Sequence, residues 1–153
     1  MRAPVCWCAV VLVLLLAPLG GSRAALSQAA ACAVADFQAV VNAAGVALRD
    51  LAQQNKSVFQ AKLNQLKDKR SWSNDEFKKQ AEPLVRDETT TSFDKKSEEL
   101  LARITGGSKA EAEPAAPNCA LLTGLQADLK LLVETQQAKW THVLAKIDQE
   151  LAK

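Results

Sequence analysis

Tyrosine is absent from this 153-residue sequence, histidine occurs once, at His142, and aromatic residues make up only 5%. A single histidine has no second imidazole with which to form a metal pair one helical turn away. Its neighbours at four residues are Ala138 and Lys146, neither of them a ligand, so His142 reads as a surface residue. The Glu-x-x-His pattern of di-iron bundles is also missing. Catalytic templates therefore lack parts, and we expect a non-enzymatic protein with no cofactor and no metal. There is no Cys-x-x-Cys pair for redox catalysis and no Cys-x-x-Cys-His for haem attachment. Gly106-Gly107 follows a helical stretch and reads as a helix stop, not a phosphate cradle.

No charge of one sign dominates. Nineteen Lys+Arg face 17 Asp+Glu, a net charge of +2. That balance excludes a strongly basic nucleic-acid binder and an acidic tail protein. Basic residues gather only between Arg49 and Arg70, without the interleaved aromatics that stack bases. This cluster reads as a charged outer helix face, with an anionic partner or lipid headgroups as the alternative.

One long apolar run exists, from Val5 to Leu19, preceded by Arg2 and followed by Gly20, Gly21, Ser22, Arg23 and Ala24. At about 15 residues it falls short of the ~20 needed to span hydrocarbon. Small residues at Ser22 and Ala24 suit signal peptidase. Residues 1–24 are expected to be a cleaved signal peptide, and residues 25–153 a single helical domain that is secreted or periplasmic, with no stable membrane span. Cleavage leaves 17 basic and 17 acidic residues and only two cysteines, Cys32 and Cys119. In an oxidising compartment these two are expected to form a disulfide. In a eukaryotic chain, Asn55-Lys56-Ser57 is a possible glycosylation site at Asn55.

The remainder is rich in Ala, Leu, Lys, Glu, Gln and Asp, a helix-forming composition with no strand-like alternation and no internal repeat. A first helix is expected from about Leu26 to Lys69, with Phe37, Val41, Ala44, Leu48 and Leu51, then Phe59, Leu63 and Leu66, along one stripe. Cys32, Ala35, Ala39, Ala43 and Val46 form a second, small-residue face, and Gln53–Lys56 marks a point of weakness.

A second helix opens at a Ser73-x-x-Glu76 capping box, with Trp72 placed to staple onto Phe77. It is expected to kink or break near Pro83 and again near Thr89–Ser92, where Thr91 can cap toward Asp94, and to stop at Gly106-Gly107. Residues 106–117 lack any large apolar side chain and read as a flexible linker. A third helix follows from Asn118 to about Ala152, carrying Leu122, Leu125, Leu129, Leu132, Gln136, Trp140, Val143, Ile147 and Leu151 at coiled-coil spacing.

Short connections make successive helices antiparallel. The expected fold is an all-α, elongated up-down-up three-helix bundle with one disulfide. Its first and third helices start at the same end, where Cys32 and Cys119 can meet. Two functions follow from these parts. One is a helical interaction protein that binds a protein partner or itself through apolar helix faces. The alternative is a carrier of a lipid or other small apolar ligand, admitted at a groove lined by Trp140, Leu144 and Ile147.

Overall fold

The computed structural model describes residues 32–110, the last four of them by backbone alone, and 118–153. The expected signal peptide, the first residues of the first expected helix and most of the expected linker lie outside these residues. Four helices follow in order: α1 (Val34–Arg70), α2 (Asn74–Val85), α3 (Glu88–Ala110) and α4 (Cys119–Ala152). The fold is all-α. The second expected helix is divided into α2 and α3.

Each boundary has a local cause. The Asp36 carboxylate accepts the Ala33 backbone N–H at 2.8 Å and opens α1. Ser71 closes α1 in a left-handed conformation, φ 52°, while Ser71 N–H and Trp72 N–H donate to the carbonyls of Asp68 and Lys67. At the start of α2 the Ser73–Glu76 box is reciprocal. Glu76 N–H donates to Ser73 Oγ at 3.3 Å, and Ser73 N–H donates to Glu76 Oε2 at 2.9 Å. Trp72 packs against the core of Leu66, Leu84, Val143 and Ile147, while Phe77 lies under the Lys67 ammonium, 5.9 Å from the ring centroid.

The break comes at Arg86-Asp87, three residues past Pro83. Asp87 caps α3: its Oδ1 accepts the Thr90 N–H at 2.8 Å, and its own N–H donates to Thr90 Oγ1 at 2.8 Å. Thr91 does not cap toward Asp94. Its hydroxyl donates back to the Asp87 carbonyl, and α3 runs unbroken through Thr89–Ser92. Nor do Gly106 and Gly107 stop α3, which continues to Ala110 with no glycine at positive φ among the described residues. Two helical glycines cost about 1 kcal/mol each. The Ser108–Ala110 stretch beyond them accepts helix, and the next hard stop in the sequence is Pro114.

Pairings between helices fix the path. Arg103 meets Asp128, Gln136 meets Ser97, Lys139 meets Asp94 and Lys146 meets Asp87, so α3 and α4 are antiparallel. Cys32 is bonded to Cys119 with their Cα atoms 5.3 Å apart, which joins the starts of α1 and α4. At the far end Lys62 pairs with Asp148, Lys69 reaches the Leu151 carbonyl and Arg70 the Glu150 carbonyl. Hence α1 and α4 are parallel, tied at both ends. The path is up, down, up. At ~1.5 Å per residue α1 is about 55 Å long, so the domain is a rod.

The central element is α4. It packs against α1 on one side and α3 on the other, while α1 and α3 barely meet. Buried positions on α3 recur as Thr90, Ser97 and Leu100, with Phe93 and Ile104 half-buried between them. This alternation of three and four matches a coiled-coil seam. On α4 the corresponding positions divide into two seams, so Leu129, Leu132, Thr135, Val143 and Ile147 are all buried. The deepest core, at the α2 end, gathers Leu66, Leu84, Val143 and Ile147. Among the described residues, no buried side-chain polar atom lacks a partner.

Candidate functional site

Because α1 and α3 both lean on α4 without closing on each other, an apolar groove runs between them with α4 as its floor. Two pockets occupy it. The first, 280 Å³, is walled by Leu48, Leu51 and Ala52 of α1 and by Ser97 and Leu101 of α3, over Leu132, Gln136 and Trp140. The second, 230 Å³, lies between Phe59 of α1 and Val85 of α2, over Gln136, Lys139, Trp140 and Val143. Trp140 and Gln136 belong to both and form the sill between them.

That sill is held in place from both sides. Phe59 meets the Trp140 ring edge-on, with centroids 5.9 Å apart at 70°. Gln136 Nε2 donates to Ser97 Oγ at 2.8 Å, and Ser97 Oγ donates to the Phe93 carbonyl at 2.9 Å. An indole packed against a neighbouring ring offers a large apolar face at little entropic cost on docking. The walls keep apolar side chains in solvent. Leu101 is 48% exposed and Val41, one heptad before Leu48, is 47% exposed.

The expected groove residues divide. Trp140 is central to the groove. Ile147 is fully buried beneath Leu66 and Leu84, so it supports the floor and does not line it. Leu144 is half-buried and lies outside both pockets. The difference is angular: positions 140, 144 and 147 share one broad face of α4, but α1 and α2 cover its lower end. Leu101 and Ala52 escaped the sequence reading because each sits at the edge of its helix's apolar stripe. Asn55 is half-buried on α1, and its Nδ2, the atom a glycan would occupy, donates to the Leu51 carbonyl at 2.7 Å.

A polar cluster marks the lower end, at the break between α2 and α3. Asp87 Oδ2 accepts from Lys146 Nζ at 2.6 Å and lies 2.8 Å from His142 Nε2. Lys146 also donates to the Pro83 carbonyl at 2.6 Å. The Lys146 ammonium, the Thr90 N–H and the His142 ring together hold the Asp87 carboxyl well below the usual carboxylate range. His142, read from the sequence as a surface residue, is a half-buried member of this cluster, with its ring edge toward Phe93. The Lys146 ammonium and the His142 ring hold α4 to the break, while the Thr90 N–H completes the cap of α3. The arrangement suits fastening more than proton transfer.

The basic stretch from Arg49 to Arg70 is partly spent on the same task. Lys62, Lys69 and Arg70 reach α4, the last two at carbonyls of its C-terminal turn, where a helix concentrates negative charge. Among the described residues, no group of three or more His, Cys, Asp and Glu could hold a metal ion, and no helix is long and apolar enough to cross a membrane. Comparison of the chain with protein-family models, with curated proteins and with solved structures found no match, so the groove and its rims carry the functional argument alone.

Proposed function

We propose that this protein is an exported, non-enzymatic interaction module that docks the helical surface of another polypeptide over the groove between α1 and α3. The observation that carries the reading is the unclosed space over Trp140, bordered by the exposed Leu101. A helical surface laid over it would cover Leu101 and the space above Trp140. The floor from Leu132 to Val143 spans ~16 Å, about three helical turns, a length that a helical partner can cover. The Cys32–Cys119 bond supports export to an oxidising compartment, secreted or periplasmic.

The pocket sizes favour side chains over a lipid. At 230 and 280 Å³, each is below the ~300 Å³ at which ligand cavities begin, and each opens to solvent. The test is a photo-crosslinking amino acid at position 101 of the full chain, with a control at the exposed Glu99, about 160° around α3 from Leu101. Adducts to polypeptide from 101 alone support the reading. Adducts to lipid from 101, or equal labelling from 99, overturn it.

A further inference from the structure

We infer that the occupant of the groove is a second copy of this chain, docked face to face so that the α1 rim of each copy meets the α3 rim of the other. The inference rests on the groove reading above and adds the identity of the partner.

The two rims carry opposite charge at matching heights. Leu48 and Ala52 line the same pocket as Ser97 and Leu101, so these stretches of α1 and α3 lie at one level. Arg49 and Lys56 stand three residues before and four residues after Ala52, on the groove side of α1. Glu98 stands three residues before Leu101 and four after Asp94, whose carboxylate reaches Lys139 on the groove floor. The α1 rim is therefore basic and the α3 rim acidic. Because the helices are antiparallel, Arg49 lies near the level of Glu98, and Lys56 near that of Asp94.

Three of these four charges are not consumed within the chain, and Asp94 is shared with Lys139. Arg49, Lys56 and Glu98 are exposed and make no ion pair among the described residues, and Arg49 Nε only donates to the Gly45 carbonyl of its own helix at 3.3 Å. Asp94 keeps 49% of its side chain exposed despite Lys139. A two-fold axis parallel to the helices preserves height and exchanges left for right. It sets Arg49 against the partner's Glu98 and Lys56 against the partner's Asp94, twice over by symmetry. A two-fold axis across the helices would instead set α1 on α1, with basic rims opposed. Charge thus selects one arrangement, and it covers Leu101 with the partner's α1 wall.

The test uses the oxidised full chain in sedimentation velocity from about 1 to 100 μM, with two charge-reversed variants, Arg49→Glu and Glu98→Lys, whose helicity and melting are checked first. The wild type should dimerise. Each variant alone should lose at least about tenfold in dimer affinity, since like charges then face each other twice. An equimolar mixture of the two should recover a heterodimer, because each reversed rim finds its opposite. A wild type that is monomeric throughout, or variants that dimerise as well as the wild type without mixing, overturns the proposal. The crosslinker at position 101 separates the two readings. Adducts to the 41–56 stretch of another copy support the second copy. Adducts only to a different polypeptide overturn it and leave the groove reading standing, and no polypeptide adduct overturns both.

Discussion

Asp87 and Lys146 meet at 2.6 Å across the break between α2 and α3, and the same ammonium holds the Pro83 carbonyl at 2.6 Å. One cation on α4 thus grips both sides of a discontinuity that proline and capping chemistry create locally. The carboxylate caps α3 with one oxygen and accepts from Lys146 with the other. Asp87→Asn removes the charge and keeps the shape. The folded-state pKa of Asp87 lies below its unfolded value of about 3.9, so its contribution is complete above about pH 5 and declines as pH falls. The variant should melt below the wild type at pH 7, with the gap narrowing below about pH 4. A gap constant from pH 7 to pH 3, in thermal melts followed by circular dichroism, would contradict the assignment.

Ser71 holds a left-handed conformation at φ 52° that costs a residue with a β-carbon roughly 1 kcal/mol. Ser71→Gly relieves it and should stabilise the fold by about that amount in urea titration. A β-branched Ser71→Val should destabilise it by more.

Gly106 lies within α3 and has nothing within 4 Å of where a β-carbon would sit. Gly106→Ala should therefore raise stability by about 0.5–1 kcal/mol, read as a higher urea midpoint. Were the glycine a helix stop, the same change would lower it.

The Cys32–Cys119 bond closes a separation of 87 residues. Chain-entropy arguments assign such a loop about 4–5 kcal/mol, large beside the roughly 5–15 kcal/mol of a typical domain. Cys119→Ser, or reduction of the wild type, should lower Tm by ten degrees or more on the order expected for that loss. An unchanged melt would show that the far-end contacts of Lys69 and Arg70 hold α1 and α4 together unaided.

Floor and wall of the groove should respond differently. Ile147 is fully buried, and Ile147→Ala should cost about 2–5 kcal/mol of stability. Leu101 is 48% exposed, and Leu101→Asp should change stability by no more than about 0.5 kcal/mol while abolishing docking. Paired denaturation and sedimentation measurements read both.

Much of this molecule is legible from short stretches of chain. Ser73 and Glu76 announce α2 because both halves of a capping box lie within one turn. The alternation through Phe93, Ser97, Leu100 and Ile104 marks α3 as one seam. A break near Pro83 is readable in outline, but its position at Arg86-Asp87 is not. An aspartate–threonine cap competes there with the threonine run just beyond, and Lys146, 59 residues away, tips the balance. His142 looks like a surface residue for the same reason, since its partner is 55 residues distant.

What the sequence determined by itself is helix content, the end of α1, the start of α2, both ends of α4 and the pairing of Cys32 with Cys119, because capping and periodicity act through near neighbours and helix direction follows from the connections. What only the tertiary structure decided is that α1 and α3 stay apart. Both apolar stripes are satisfied by α4, whose two seams leave neither helix enough buried surface to gain by closing on the other. The groove over Trp140 is the space left by that competition, and no single stripe carries a record of it.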